Sequence, residues 1–237
     1  MNTQYLKTNP EFANKLIQLL DSHDDASIRL AYQLMQGGGV PNSLAKRISN
    51  DIWGKILCLE YGLTSVLAHL QILQIHDTHL QELPKAIGDL QALVILELIN
   101  NQLVCLPPEI QYLQQLTDLQ LVANHLTGLP KEIKALKKLE KLNIYSNQLK
   151  VFPEALFHLP KLESLNLGAN QLQALPEQMC QMRTLRKLDI GTNPLQNIVT
   201  ILTQMPWLEI LSLSGLKLSD REWQQLKVKL PYTQIIR

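Results

Sequence analysis

Residues 116–138 read LTDLQLVANHLTGLPKEIKALKK, and this stretch of 23 residues decides how the rest of the chain is interpreted. It opens with L-T-D-L-Q-L, whose final alternation of leucine with a polar residue predicts a short strand with its leucines on one face. It closes with I-K-A-L-K-K, where apolar residues recur every third position, as is typical of a 3₁₀ or irregular helical segment. The stretch is therefore expected to form a strand, a turn and a helical return.

The same pattern recurs along the chain with a step of 23 residues. Asparagine returns at Asn101, Asn124, Asn147, Asn170 and Asn193. Units start at Leu70, Leu93, Leu116, Leu139, Leu162, Leu185 and Leu208. One unit buries about seven aliphatic side chains, worth roughly 14 kcal/mol, whereas ordering it costs on the order of 30 kcal/mol. Because a single unit is unstable, the units must stack into a solenoid with a continuous parallel sheet.

The motif L-x-x-L-x-L-x-x-N-x-L followed by L-P-x-x-I resembles the leucine-rich repeat family, and its 23-residue form looks like the Ras-suppressor-like class, which includes bacterial proteins. The resemblance implies an α/β fold: a leucine-rich repeat solenoid, curved as a horseshoe, with a parallel concave sheet, a helical N-terminal region and a helical C-terminal cap. It also implies that each asparagine bonds backbone groups of its own repeat and of the next. The five asparagines are thus expected to be structural.

Composition and charge exclude several classes of function. Hydrophobic residues make up 46% of the chain, and 22 Lys and Arg against 21 Asp and Glu give a net charge of +1. This composition predicts a packed protein that does not bind nucleic acid. The N-terminus has no apolar signal region and no run of 18 apolar residues exists, so we expect a cytoplasmic protein without a membrane span. Cys58, Cys105 and Cys180 are too few and too distant for a disulfide framework.

The N-terminal residues do not follow the repeat. Asn9 and Pro10 predict the start of one helix, Asp24 or Asp25 that of a second helix ending at the glycines 37–39, and Pro41 that of a third. The segment 55–61, KILCLEY, alternates and predicts a first strand. The region is either a cap over the open end of the core or an adaptor module with a partner of its own.

The C-terminal residues also leave the pattern. Ser219 and Glu222 have the spacing of a capping box, which predicts a helix ending at Pro231. The final residues 232–237, YTQIIR, predict a last edge strand. The predicted domains are therefore a helical N-terminal cap region (residues 1–54), the solenoid (55–218) and a C-terminal cap (219–237).

The strand positions between the inward leucines are expected to face the concave wall. Equivalent positions of neighbouring strands lie about 4.8 Å apart, so they form columns across the wall. In the first half of the wall, these columns combine apolar side chains with polar residues around them, which is typical of a protein-interaction site. The alternative is that strands simply favour β-branched and aromatic residues. Tyr145 is the best anchor. The predicted partner-binding residues are Ile72, Gln74, His76, Ile95, Glu97, Ile99, Gln120, Val122, Asn143 and Tyr145.

No set of residues predicts catalysis or metal binding. The sequence lacks the usual nucleophile, zinc-protease and phosphate-loop motifs. His76 and His79 are three residues apart on a strand and turn, which does not place two ligands together. The lysines of residues 131–141 are interrupted by glutamates and are expected to form a solvated outer face. We expect no catalytic residue, no cofactor and no metal ion.

These observations predict a non-enzymatic scaffold, monomeric, that binds a protein or peptide partner on its concave face and contacts neither nucleic acid nor membrane. The resemblance alone implies an alternative, a regulatory module acting on a signalling enzyme such as a small GTPase or a kinase. A leucine-rich repeat effector that leaves the cell without a signal peptide is a third class, and it would act by binding alone.

Overall fold

The structure, a computed structural model, describes residues 8–22 and 24–237. These residues form two compact units. We call residues 8–22, 24–71 and 84–92 the helical unit, and residues 72–83 and 93–237 the repeat unit.

The helical unit begins with the three helices that the sequence predicts. Helix α1 spans Pro10–Leu20, α2 spans Asp25–Gly38 and α3 spans Asn42–Asn50. The side chain of Asn9 accepts the N–H of Glu11 at 2.9 Å, and that of Asp24 accepts the N–H of Ser27 at 2.9 Å, so both predicted caps are confirmed. Helix α2 ends where Gly39 adopts a φ of 78°.

The strand predicted for residues 55–61 is wrong, because residues 55–60 belong to helix α4, Ile52–Glu60, and Tyr61 is its C-cap. Asp51 caps this helix by accepting the N–H of Gly54 at 2.6 Å. Four consecutive residues, Ile56 to Leu59, are buried, so the burial does not alternate as it would on a half-exposed strand. A short apolar run fits a buried helix as well as a strand, and periodicity alone does not separate them. Two 3₁₀ turns, Thr64–Val66 and Lys85–Asp89, complete the helical unit.

The repeat unit contains one sheet, which has eight parallel strands in chain order within the described residues. The predicted edge strand at the C-terminus is the last of them. Each strand is three residues long, and equivalent residues of successive repeats pair in register. The strands are β1 Ile72–Gln74, β2 Ile95–Glu97, β3 Asp118–Gln120, β4 Lys141–Asn143, β5 Ser164–Asn166, β6 Lys187–Asp189, β7 Ile210–Ser212 and β8 Gln234–Ile236.

Short helical returns connect the strands, as the period of three predicts. Between β2 and β6, the four returns are 3₁₀ turns that follow a proline, whose fixed φ suits the position. They span Pro108–Tyr112, Lys131–Ala135, Glu154–His158 and Glu177–Gln181. The last repeat lacks this proline and uses a short helix, α5, Val199–Leu202. Helix α6, Asp220–Lys229, follows with the predicted capping box between Ser219 and Glu222.

The leucines of the repeat motif form the core of the repeat unit. Leu96, Leu98 and Leu103 have no exposed surface, and the equivalent positions of the following repeats are buried in the same way, except for Leu195 and Leu218, which are half-buried. Full burial of each leucine contributes about 2 kcal/mol, and it depends on stacking because neighbouring repeats cover each other.

The asparagine of each repeat bonds backbone groups inside this core. The Oδ1 atom of Asn147 accepts the N–H of Leu126 at 2.9 Å, and its Nδ2 atom donates to the carbonyls of Leu121 at 2.9 Å and Ile144 at 3.1 Å. Leu121 and Leu126 lie in the preceding repeat, so the predicted side-chain bond to the next repeat has the wrong direction. Asn101, Asn124, Asn170 and Asn193 are buried and bond in the same pattern.

The residue before each asparagine, like its counterpart in the first repeat, lies in the left-handed region. These residues are Asp77, Asn100, Ala123, Ser146, Ala169 and Thr192, with φ between 50° and 57°. The position turns the chain out of the strand. This left-handed conformation costs about 1–2 kcal/mol for most residues, and the cost is smallest for asparagine and aspartate.

The predicted fold class is confirmed: an α/β leucine-rich repeat solenoid with a parallel sheet, a helical N-terminal region and a helical C-terminal cap. The domain boundaries after residues 54 and 218 stay a prediction.

Candidate partner-binding face

The ten predicted partner-binding residues all lie in the repeat unit, on or just after strands β1 to β4. Ile72 pairs with Ile95, and Gln74, Glu97, Gln120 and Asn143 pair in a row. Four further residues occupy one position two residues after each strand: His76, Ile99, Val122 and Tyr145. We call the exposed side of the sheet that carries these residues and their equivalents in later repeats the open face.

The apolar members of the open face differ in exposure. Ile72 is 49% exposed and Tyr145 is 41% exposed. Ile95, Ile99 and Val122 lie between them and are half-buried. The open face therefore offers two prominent apolar side chains that are connected by partly covered ones.

The polar members of the open face bond to one another across strands. The carboxylate of Glu97 accepts a hydrogen bond from Nε2 of Gln74 at 3.0 Å. The ring Nε2 of His76 lies 3.0 Å from the same carboxylate oxygen, but the two groups are not oriented for a hydrogen bond. The contact is therefore an ion pair only when the ring is protonated. Within β3, Nε2 of Gln120 donates to Asp118 at 2.6 Å.

Three polar residues of the open face also complete the backbone, which the sequence pattern did not reveal. The Oδ1 atoms of Asn143, Asn166 and Asp189 accept the N–H groups of the residues two positions on, at 3.1, 2.9 and 2.9 Å. In a parallel ladder, the N–H of Tyr145 would reach the carbonyl of Leu121, which already accepts from the Asn147 amide. Asn143 therefore has a structural task, and its Nδ2 atom is the part that can meet a partner.

Side chains project less from the open face in the last three repeats than in the first four. The position that Ile99, Val122 and Tyr145 occupy is taken there by Gly168, Gly191 and Ser214. A Cβ atom on Gly191 would lie 2.6 Å from the carbonyl oxygen of Ser214, so no side chain fits there. A Cβ atom on Gly168 would lie 3.0 Å from Cδ2 of Tyr145 and 3.1 Å from Oδ1 of Asp189. The tyrosine ring thus leans over Gly168 toward the Asp189 carboxylate.

Concave surfaces also occur outside the residues of the open face. In the helical unit, a cavity of about 400 Å³ is lined mainly by apolar residues and bordered by Trp53, which is 55% exposed. In the repeat unit, two open grooves of about 330 and 690 Å³ follow the turns of the fourth to sixth repeats. Val151 lines the smaller groove and is 75% exposed. Sequence reasoning did not single out any of these surfaces.

The part of the chain that the structure describes contains neither a cluster of metal ligands nor a membrane-spanning helix. Within residues 8–22 and 24–237, no three His, Cys, Asp or Glu side chains come together as a metal site would require. In the same residues, no helix has the length and apolar character needed to cross a bilayer. His76 and His79 both lie beside glutamine or glutamate side chains.

The three cysteines occupy different environments. Cys58 is buried in helix α4 rather than in a strand, and burial raises the pKa of its thiol to about 12. Cys105 is exposed and Cys180 is half-buried. A buried thiol with a raised pKa is a poor nucleophile, so Cys58 serves the packing of the helical unit.

Comparison with protein families matches two stretches of the chain. A family described as a leucine-rich repeat region matches residues 60–147, and a family of two-copy leucine-rich repeats matches residues 137–178. No curated protein matches the chain at a significant level.

Comparison with solved structures finds proteins of the same architecture. Internalin C2 from Listeria monocytogenes is 23% identical, with a TM-score of 0.63 over 82% of this chain and 81% of the internalin. A plant peptide hormone receptor, RGFR1 in complex with RGF2, is 24% identical, with a TM-score of 0.59 over 73% of this chain. A leucine-rich repeat protein of Leptospira interrogans is 28% identical over 74% of this chain, with a TM-score of 0.48. The chain spans 57% of the length of the Leptospira protein and 29% of the plant receptor.

Proposed function

The chain is a leucine-rich repeat protein, and we propose that it is a scaffold whose open face binds a protein or peptide partner. Proteins of this family generally mediate protein–protein interactions, and the plant receptor of similar fold is described in complex with RGF2. We extend that role to this chain. The proposal also holds that the chain is monomeric, that it is located in the cytoplasm and that it has no enzymatic activity.

One observation supports the open face over the other surfaces. Four neighbouring strands align ten side chains in register, and the apolar ones among them end in two exposed anchors, Ile72 and Tyr145. Exposed apolar side chains with a polar surround are the usual composition of an interaction surface. Aromatic anchors such as Tyr145 carry much of the binding energy in such surfaces.

The test is affinity purification from a lysate of the source organism, followed by mass spectrometry, with the double variant Val122→Arg/Tyr145→Arg. Both side chains point away from the core, so we expect the variant to fold with an unchanged circular dichroism spectrum and melting temperature. We expect it to lose the partner that the wild type captures, because two buried charges would replace the apolar contact.

Two matched variants control for the introduced charges. Val228→Arg places an arginine on helix α6, where the valine is 65% exposed, and we expect it to retain the partner. Val151→Arg blocks the smaller groove at the turns of the repeats. Loss of the partner in Val151→Arg, with retention in Val122→Arg/Tyr145→Arg, would move the site from the open face to that groove.

A further inference from the structure

The charge of the open face is unevenly distributed between its columns. Its two central columns contain two carboxylates, Glu97 and Asp189, and no lysine or arginine. The first central column is Gln74, Glu97, Gln120, Asn143, Asn166, Asp189 and Ser212; the second is His76, Ile99, Val122, Tyr145, Gly168, Gly191 and Ser214. The cations of the open face, Lys141 and Lys187, stand in the adjacent marginal column. The centre of the open face is therefore acidic, although the whole chain has a net charge of +1.

The Asp189 carboxylate lies beside an aromatic ring. The position that a Cβ atom on Gly168 would occupy is 3.0 Å from Cδ2 of Tyr145, 3.1 Å from Oδ1 of Asp189 and 3.2 Å from Oδ1 of Asn166. Cδ2 of the ring and Oδ1 of the carboxylate are thus at most about 6 Å apart, so a cation that pairs with the carboxylate lies within range of the aromatic face. Because Oδ1 of Asn166 and Oδ1 of Asp189 both accept backbone N–H groups, Asn166 offers its Nδ2 donor to a partner, as Asn143 does, and the carboxylate of Asp189 is the acceptor for a cation.

Such a site suits a guanidinium group. Arginine is planar, stacks on aromatic rings and carries five donors and no acceptor, which matches a carboxylate beside a ring. The Asp189 carboxylate has no ion-pair partner among residues 8–22 and 24–237. Lys187, two residues earlier on β6, is the nearest competing cation in the sequence, and its side chain is exposed to solvent.

The second carboxylate lies four strands away. Glu97 is on β2 and Asp189 on β6 of the same column, so the two residues are about 19 Å apart at about 4.8 Å per strand. An extended peptide advances about 3.3 Å per residue, so six residues cover this distance. Because six is even, both ends of the six-residue step face the same way, with residues two and four between them. The second residue, about 7 Å from Glu97, would lie nearest to Val122 beside β3, and the fourth, about 13 Å from it, would lie nearest to Gly168 beside β5, next to the Tyr145 ring.

We infer that the partner of the open face is an extended segment with two basic side chains, at least one of them arginine, six residues apart, and with apolar side chains at the second and fourth positions between them. The arginine binds between Tyr145 and Asp189, and the other basic side chain pairs with Glu97. The inference rests on the proposed function, and it adds the chemistry of the partner.

The test uses a displayed library of random 12-residue peptides, selected on the wild-type protein. We expect the enriched peptides to show arginine or lysine at positions i and i+6 and apolar residues at i+2 and i+4. A synthetic peptide of the enriched sequence is then measured by fluorescence anisotropy, with each basic residue replaced in turn by glutamine. We expect each replacement to weaken binding about tenfold, which corresponds to about 1.4 kcal/mol.

Isosteric variants connect each peptide position to one carboxylate. Asp189→Asn keeps the oxygen that accepts the Gly191 N–H, so we expect it to fold, to bind the peptide about tenfold more weakly, and to be insensitive to glutamine at the arginine position. Glu97→Gln should behave in the same way for the other basic position. Asp118→Asn, in the marginal column beside Lys141, is the matched control and should change the affinity less than twofold.

The outcomes separate this inference from the proposed function. Enriched peptides that lose binding to Val122→Arg/Tyr145→Arg but show no basic pair would overturn the inference and leave the binding scaffold standing. Enriched peptides that bind this variant as well as the wild type would overturn both. An arginine whose replacement by glutamine weakens binding equally to wild type and Asp189→Asn would also contradict the inferred contact.

Discussion

Replacing Asn147 by leucine is the sharpest test of how the repeats are held together. Leucine has nearly the shape of asparagine but removes its donors and acceptor. The N–H of Leu126 then loses its hydrogen bond to Asn147 at 2.9 Å, and the carbonyl of Leu121 keeps only its longer bond from Nδ2 of Asn124 at 3.2 Å. Both residues have no exposed surface, so water does not replace the lost bonds.

The expected loss of stability follows from these two groups. The buried N–H without a partner costs about 1–3 kcal/mol, and the bond lost by the Leu121 carbonyl costs about 0.5–1.5 kcal/mol. Burying a leucine in place of an amide offsets about 1–2 kcal/mol of this loss. The net loss is about 0.5–2.5 kcal/mol, which lowers the urea midpoint by roughly 0.5 M at a slope of about 3 kcal/mol per M.

The assay is equilibrium unfolding in urea, followed by circular dichroism. Gln148→Leu is the matched control, because Gln148 is an exposed neighbour, and we expect it to change the free energy of unfolding by less than about 0.5 kcal/mol. A third variant, Asn147→Asp, keeps the acceptor for Leu126 but loses the donors, and should be destabilised as well. A midpoint for Asn147→Leu equal to that of the wild type, with the same slope, would refute the structural role of the asparagine.

Three further predictions concern the backbone, a buried thiol and a helix cap. Thr192 is a β-branched residue at φ 50°, so Thr192→Asn should raise the free energy of unfolding by about 1 kcal/mol, as read from urea unfolding. In the folded protein, a thiol reagent at pH 8 should label the exposed Cys105 and spare Cys58, whose pKa is raised to about 12 by burial; labelling of Cys58 without urea would contradict its burial. Because the folded pKa of Cys58 lies above its unfolded value near 8.5, its contribution to stability should be complete below that pH and should decline as the pH rises toward 12. Hydrogen bonds from Ser219 lower the pKa of Glu222, so the cap should contribute fully above about pH 4.3 and be lost as the pH falls through the lower folded pKa; the difference in melting temperature between wild type and Glu222→Gln should then disappear in acid.

The periodic features were predictable because each repeat reports the same local chemistry. The alternation of leucines predicts strands such as Asp118–Gln120, and the period of three predicts the 3₁₀ returns. Both depend on interactions within a few residues. The strand expected for residues 55–61 failed for the opposite reason, since a single apolar run outside the repeat contains no period that distinguishes a helix from a strand.

The candidate site was only partly predictable. The columns of the open face follow from the repeat length, so the ten partner-binding residues can be named from the sequence alone, and their role stays a prediction. The hydrogen bonds of Asn143, Asn166 and Asp189 to the backbone could have been suspected from the spacing N-x-G and D-x-G, but only in the last two of these repeats. The position of the Tyr145 ring over Gly168 has no sequence signal, because it depends on a rotamer and on the height of the neighbouring repeat.

The sequence by itself determined the architecture of the repeat unit. Leucines at positions of one 23-residue period have a single way to be buried together, which is a stack with one parallel sheet. The tertiary structure alone decided which carboxylates lie free on the open face, how far each apolar side chain is exposed, and where the asparagine amides bond. These properties depend on contacts between residues 21 to 26 positions apart, and the distances and angles of such contacts exist only once the repeats are stacked.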